Sequence, residues 1–406
     1  MNIAIWSDTF PPQVNGVASV ARDLAAALAD AGHRVAVFSV VDDEREAGTV
    51  EGSYAIHKIP ALSVPKFIYS GGQLAFAVTP SPAALRALKK FKPDIIHSHT
   101  PFVAGWHAVI GKKLLRVPIV GTHHTFFDDY LKHIKLDYAW GRNFSWKIMT
   151  AYYNRMDAVT SPSRALAAAL QEHGLSVPLH VVPNPANTEL FTPVDPAAKQ
   201  ELKRRYGLGK QAIVYMGRTS YEKDIDQAIE AFSLAAKELP DATLMIVGDG
   251  PERKRLEALA REKSPDGRII FTGMLRGEAL RDALAANDLF LTASRSENMP
   301  VSVIEAMAAG LPVAAVRAKG MPEIVSHGEN GLLAEPGRPD LLARIIVQLF
   351  SSPDDLAAKA AASRKIAERY SRASIARATA ELYEKIIAEH RGKRKNAGGS
   401  SPKKVR

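Results

Sequence analysis

Cysteine is absent from all 406 residues. That removes disulfides, thiolate nucleophiles and cysteine-ligated zinc, and it suits a reducing compartment. Long apolar runs are missing too. The stretch from Phe67 to Leu85 carries no charge but contains Gly71, Gly72, Pro80 and Pro82, whereas a membrane-spanning helix needs about 20 mostly apolar residues. The start, Met1 to Trp6, has no basic cluster and soon meets Asp8, so no secretory signal is expected. Acid is lacking in residues 391–406, which hold seven basic side chains, Arg391 and Lys393 among them. The net charge of +10 divides into +7 for that segment, +4 for residues 1–185 and −1 for 186–390. The reading is a disordered polybasic tail on a nearly neutral body. Such a tail helps hold a protein at an anionic membrane, at about 1 kcal/mol per basic residue. No basic stripe supports a nucleic-acid partner.

What remains is 46% apolar and 24% charged, enough for two cores. Short β-branched runs alternate with Ala-rich segments of helical spacing, the α/β pattern. Strands are expected at 3–6, 34–40, 94–97, 118–122, 158–161 and 180–182, then at 212–216, 243–247, 268–272, 289–292 and 313–316. Each half reads as a doubly wound parallel unit. The division is 1–185 and 186–364, with Pro183, Pro185, Pro193 and Pro196 marking the boundary. Ligands of open parallel sheets bind beyond the carboxyl ends of the strands, so two such sheets predict a cleft between them.

The chemistry-bearing residues fall at those strand ends. Gly16 stands at the mouth of the first helix, where backbone could approach an anion; a plain turn is the competing reading. His123 and His124 follow the strand ending at Thr122. Adjacent side chains on extended backbone point oppositely, so one is expected to pack and no shared metal is expected. Arg218 and Lys223 after the strand 212–216 suit a diphosphate, one as a planar fork and one as a point charge. Asp224-Ile225-Asp226 has the form of a metal-binding D-x-D, yet it opens a helix, where acids are favoured by the dipole. Glu297 and Glu305 stand eight apart. Glu305 lies among Val301, Val303, Ile304 and Met307, and a carboxylate there needs a partner, whether sugar hydroxyls or a buried ion pair.

Together these residues resemble the retaining glycosyltransferases of the GT-B fold, family four. The resemblance runs through about residue 390. It is carried in order by Asn15-Gly16, His97-Ser98-His99-Thr100, Thr122 to Thr125, Ser161-Pro162-Ser163, Val182-Pro183-Asn184 and Gly217-Arg218 with Glu222-Lys223. Val247 to Pro251, Phe271-Thr272-Gly273, the Glu297/Glu305 pair and Gly328 to Leu333 complete it. The resemblance implies an α/β GT-B fold and a nucleotide-sugar donor, UDP-linked by preference. Glu305 would hold the ribose hydroxyls, and Glu297 would face the transferred sugar. Arg218 and Lys223 would stabilise the departing diphosphate. Main chain at Met274 and Leu275 would meet the base, Asn298, Met299 and Val301 would line the donor, Gly16 would approach its phosphate or the acceptor, and His124 would lie beside the reacting sugar. No metal or cofactor is implied. Helices near 365–390 would pack back on the first domain. The chain departs from the family at Asn298-Met299-Pro300, where a Gly-rich stretch is common, and at Gly320-Met321-Pro322.

Aromatics make up 7% of the chain, yet seven of the 24 residues from Tyr130 to Tyr153 are aromatic, interleaved with Lys132, Lys135, Arg142 and Lys147. That pattern suits a helix in a lipid headgroup layer or, equally, one whose rings pack in a core. With the similarity of Asp8 to Pro12 and Thr122 to Tyr130 to diacylglycerol glycosyltransferases, the expected acceptor is a membrane lipid on the cytoplasmic face. A polysaccharide or polyprenyl-linked acceptor is the alternative. A nucleotide-sugar epimerase would need no acceptor, and a non-catalytic membrane protein would not need Arg218, Lys223, Glu297 and Glu305.

Overall fold

The computed structural model describes residues 1–13, 15–40, 50–51, 54–59, 61–63, 75–77, 81–126 and 138–398. The chain forms two compact units. One contains Met1–Pro162, Ala167–Pro183 and Ala373–Arg406; the other contains Ser163–Leu166 and Asn184–Arg372.

Among the described residues, the first unit runs β1 (Asn2–Ser7), α1 (Gly16–Asp30), β2 (Arg34–Ser39), β3 (Val50–Glu51), β4 (Tyr54–Lys58), β5 (Ala61–Ser63) and β6 (Ala75–Ala77). It continues with α2 (Pro82–Phe91), β7 (Ile95–Ser98), α3 (Val103–Leu115), β8 (Ile119–Thr122), α4 (Ala139–Tyr153), β9 (Ala158–Ser161), α5 (Arg164–Glu172) and β10 (Leu179–Val181). The main sheet has the order β10-β9-β8-β7-β1-β2-β4-β3. Its pairings are parallel except β3 with β4. From β1 the chain winds outward through β2 to β4, then jumps to β7 and winds the other way. The direction reverses between β1 and β7, where the carboxyl ends open a crevice. Both faces are covered, so the apolar side chains of the central strands are buried whichever way they point: Ile3, Ile5, Val37 and Ile95 are fully buried.

The second unit follows with α6 (Pro196–Tyr206), β11 (Gln211–Met216), α7 (Ile225–Ala235), β12 (Ala242–Val247), α8 (Arg253–Lys263), β13 (Ile269–Gly273), α9 (Gly277–Ala285) and β14 (Leu289–Leu291). Then come α10 (Val301–Ala308), β15 (Val313–Val316), α11 (Met321–Ile324), β16 (Gly331–Ala334), α12 (Pro339–Ser351) and α13 (Pro353–Ala367). Its six strands are ordered β13-β12-β11-β14-β15-β16, all parallel. This is the doubly wound dinucleotide-fold order, with its switch point between β11 and β14.

The last helix, α14 (Arg372–Gly398), returns to the first unit. Ala376, Tyr383, Ile386 and Ile387 are buried with Ile3, Val35 and Ile95. The return begins at Ala373 rather than near 365, because α13 belongs to the second unit. The expected disordered tail needs correction as well. Residues 391–398 continue α14 as helix. His390 and Arg394 each hydrogen-bond the Arg116 carbonyl at 3.1 Å, and Arg391 lies 3.7 Å from Asp94. Residues 399–406 are outside the described residues.

Candidate active site

In the second unit, two loops meet at the switch point. One follows β11: Gly217, Arg218, then a single 3-10 turn over Tyr221–Lys223. The other joins β14 to α10 and carries Glu297. Lys223 Nζ lies 2.7 Å from Glu297 Oε1, with both side chains less than a quarter exposed. Asp224 adopts a left-handed φ of 48° and accepts the Arg295 fork at 2.7 and 3.0 Å and the Arg295 backbone N–H at 3.2 Å. Ser296 Oγ donates to the Glu222 carbonyl at 2.9 Å. Both loops are therefore cross-tied, and Lys223 is aimed by them. The D-x-D acids are engaged by arginines: Asp224 by Arg295, and Asp226 by Arg255 at 3.4 Å. Below the loops Tyr215 is buried, and burial together with the negative Glu297, Glu222 and Asp224 holds its phenol well above its usual range.

Arg218 is half-buried on the same loop. The turn after β12 packs directly on it: Thr219 N–H donates to the Asp249 carbonyl at 3.0 Å. Gly248, with φ of 144°, permits this approach, since a Cβ there would lie 1.9 Å from the Gly217 carbonyl oxygen. Any larger residue would displace the Arg218 loop.

The Asn298-Met299-Pro300 departure has a structural role. Asn298 is buried and accepts from Ser163 Oγ. Asn184 Nδ2 donates to the Met299 carbonyl at 3.0 Å, and the Met299 side chain is buried in the core with Val303 and Met321. Gly320 N–H donates to the Glu297 carbonyl at 3.2 Å, and a Cβ on Gly320 would sit 1.6 Å from the Asn298 carbonyl. Side chains and main chain together hold this loop in place. Pro300 is the cap of α10. Glu305 is half-buried in the second turn, among the buried Val303, Ile304, Ala306 and Met307. Leu275 and Val301 pack against the same core, while Met274 is 46% exposed at the end of β13.

In the first unit the residues at the β1/β7 switch point are Asp8 and Thr100. Asp8 carboxylate accepts from Thr100 Oγ1 at 2.5 Å and from Ala104 N–H at 2.8 Å, at the start of α3. Burial raises its pKa, opposed by these hydrogen bonds. Gly16 opens α1 after Asn15, whose side chain caps Ala18 N–H at 2.9 Å. Among the described residues nothing lies within 4 Å of a Cβ built on Gly16, so packing alone does not require glycine there.

The histidines divide as expected at 123 and 124. His123 is buried against Tyr153 and Trp146. His124 is half-buried, and its Nε2 lies 3.0 Å from His99 Nδ1. His97 bonds Tyr383 of α14 through Nδ1 and Thr122 through Nε2, the latter at 2.6 Å. Burial pushes His97 and His123 down to about 3 and His124 to about 4. These rings are neutral hydrogen-bonding groups at neutral pH. His99, Asp8 and the Asp224–Arg295 tie were not singled out as site residues from sequence. His99 had a signal in the His97-Ser98-His99-Thr100 run; the Asp224–Arg295 tie had none.

Comparison with known proteins agrees with this architecture. Residues 14–190 match Glycosyltransferase Family 4, and residues 198–369 match Glycosyl transferases group 1. The chain is 30% identical over 360 residues to alpha-monoglucosyldiacylglycerol synthase of Streptococcus pneumoniae, covering 87% of this chain and 79% of that one. It is also 30% identical over 337 residues to GDP-mannose-dependent alpha-mannosyltransferase of Corynebacterium glutamicum, covering 82% and 77%. The crystal structure of Anabaena HepE in complex with UDP superposes with a TM-score of 0.76 at 22% identity, over 95% of this chain and 100% of that one. Two doubly wound α/β units, cross-tied loops at a switch point and these relatives agree: the chain belongs to the family-four, group 1 glycosyltransferases of the GT-B fold.

Proposed function

We propose that this glycosyltransferase moves a hexose from a UDP-sugar to the hydroxyl of a membrane lipid such as diacylglycerol, forming an α-glycolipid. The observation that carries the reading is the Lys223–Glu297 pair across the β11/β14 switch point, the place where a doubly wound sheet binds nucleotide. In this reading Arg218 and Lys223 receive the diphosphate, Glu305 the ribose hydroxyls, and main chain at Met274 and Leu275 the base. Main chain of Asn298, Met299 and Val301 lines the donor at the start of α10. Gly16 and His124 keep the roles that the family resemblance implies, toward phosphate and sugar. The bond from the anomeric carbon to the diphosphate breaks, and the acceptor oxygen bonds that carbon on the same face. The acceptor proton passes to the departing phosphate oxygen. Cations fixed where charge develops supply the stabilisation, so no metal is required.

The Streptococcus pneumoniae relative supports the lipid acceptor, and the UDP in HepE supports the nucleotide. The second reading is a GDP-mannose donor, favoured by the mannosyltransferase at equal identity. The enzyme would work peripherally, at the inner face of the cell membrane. Nucleotide release from UDP-, GDP- and ADP-sugars, with and without diacylglycerol in detergent micelles, tests the proposal. Release from a UDP-sugar that requires diacylglycerol and yields a new glycolipid supports it; release from one donor indifferent to diacylglycerol rejects the acceptor.

A further inference from the structure

Helix α4 is apolar on two sides. Trp146, Met149, Tyr152 and Tyr153 are buried in the first unit. The opposite side is not: Trp140 is 64% exposed, Phe144 59% and Ile148 47%, and Tyr138 at the cap is 60% exposed with its ring stacked near Trp140. Trp140, Phe144, Ile148 and Ala151 follow at helical spacing and stretch roughly 17 Å along one side. A soluble surface helix carries charge there. This one carries no acid anywhere along its length, and its charged residues are Arg142 and Lys147.

The stripe ends at a basic cluster. Arg155, just past α4, lies over the Trp106 ring of α3 at 5.1 Å. Lys112 of α3 donates to the Arg155 carbonyl at 2.9 Å and pairs with Asp157 at 3.0 Å. The carboxyl end of α3, with exposed Lys113 and Arg116, is where Arg394 and His390 of α14 anchor. Among the described residues, the acids in this cluster, Asp157 and Asp94, lie against Lys112 and His390 and against Arg391. Exposed rings beside Lys113, Lys147 and Arg394, which have no ion pair among the described residues, complement an anionic bilayer, whose interface takes aromatic side chains while its headgroups take the cations.

We infer that this side of the first unit is the membrane-docking face: Trp140, Phe144 and Ile148 enter the interface of an anionic bilayer, while Lys147, Lys113 and the helical end of α14 sit on its headgroups. The other half of α4 packs the core, as the core reading of the aromatic segment expects; residues 130–137 of that segment lie outside the described residues. The inference depends on the lipid-acceptor reading for its purpose, but not for its observations.

The test uses the full chain and phosphatidylglycerol vesicles that contain no diacylglycerol. Trp140→Ser/Phe144→Ser should lower vesicle partitioning at least tenfold and leave the melting temperature and micellar turnover unchanged. Brominated acyl chains should quench wild-type tryptophan fluorescence, and Trp140→Phe should remove most of that quenching while retaining binding. Equal partitioning of the double variant overturns the inference. So does a wild-type dimer that the double variant makes monomeric, for then a second copy covers the face. Glycolipid made in micelles by a protein that ignores vesicles rejects the docking face alone. Vesicle docking through Trp140 with no glycolipid formed in diacylglycerol micelles rejects the lipid-acceptor reading alone.

Discussion

Lys223 and Glu297 meet at 2.7 Å across the point where the second sheet reverses its winding. They come from loops 74 residues apart, and each loop is separately anchored: Asp224 holds Arg295, and Gly320 holds the Glu297 carbonyl. The pair thus presents a cation of fixed position to whatever binds there.

Lys223→Ala should lower kcat/KM by about 10²–10³, the usual loss for one preorganised charge-stabilising group. A melting temperature close to wild type should accompany it, because the ion pair is partly solvated. Steady-state kinetics with thermal unfolding checks both; unchanged kinetics would remove Lys223 from the site.

Asp224→Asn keeps a residue tolerated at left-handed φ but weakens the fork to Arg295. The expected result is a stability loss of roughly 1 kcal/mol or less, because Arg295 is half-exposed. A larger fall in turnover should follow as both loops loosen. Urea unfolding and kinetics on the same preparation separate the effects.

Two glycines should behave oppositely. Gly320→Ala forces a Cβ against the Asn298 carbonyl and should cost about 1–3 kcal/mol, as overpacking does. Gly16→Ala meets nothing among the described residues and should stay within about 0.5 kcal/mol of wild type, yet lose activity if phosphate approaches there. Full activity of Gly16→Ala would withdraw Gly16 from the donor.

The buried histidines predict acid sensitivity. His97, His123 and His124 take up protons only near pH 3–4 in the folded chain, whereas unfolded histidines do so near pH 6.5. Below about pH 6.5 the unfolded state therefore binds more protons. Stability should fall as pH drops toward 4, by up to about 1.4 kcal/mol per pH unit for each such ring. Urea midpoints at pH 7.5 and 5 check this, and His97→Asn should flatten the dependence. A midpoint indifferent to pH would contradict it.

The sheets were legible because their strands are β-branched runs: Ala158–Ser161 and Val313–Val316 were read with correct ends. β16 was missed because Gly331-Leu332-Leu333-Ala334 has no β-branched residue, and β4 because Tyr54–Lys58 ends in His57-Lys58. The strand-end residues were found because a parallel sheet delivers them to one edge. Their ties were not, since Asp224 and Arg295 are 71 residues apart and nothing local pairs them. The polybasic composition of residues 391–398 hid a continuing helix, fixed by contacts with Arg116 and Asp94 that only the folded unit creates. The aromatic segment was ambiguous for a physical reason: α4 buries some of its rings and exposes others, and periodicity shows both faces as apolar.

The measurement that bears most directly on the central claim is calorimetric binding of UDP, with GDP and ADP beside it, to the wild type, Glu305→Ala and Glu297→Gln. The account predicts that Glu305→Ala weakens nucleotide binding at least tenfold. It predicts that Glu297→Gln binds nucleotide as the wild type does while losing turnover. Wild-type nucleotide affinity in Glu305→Ala would contradict the account and move the donor away from the β11/β14 switch point.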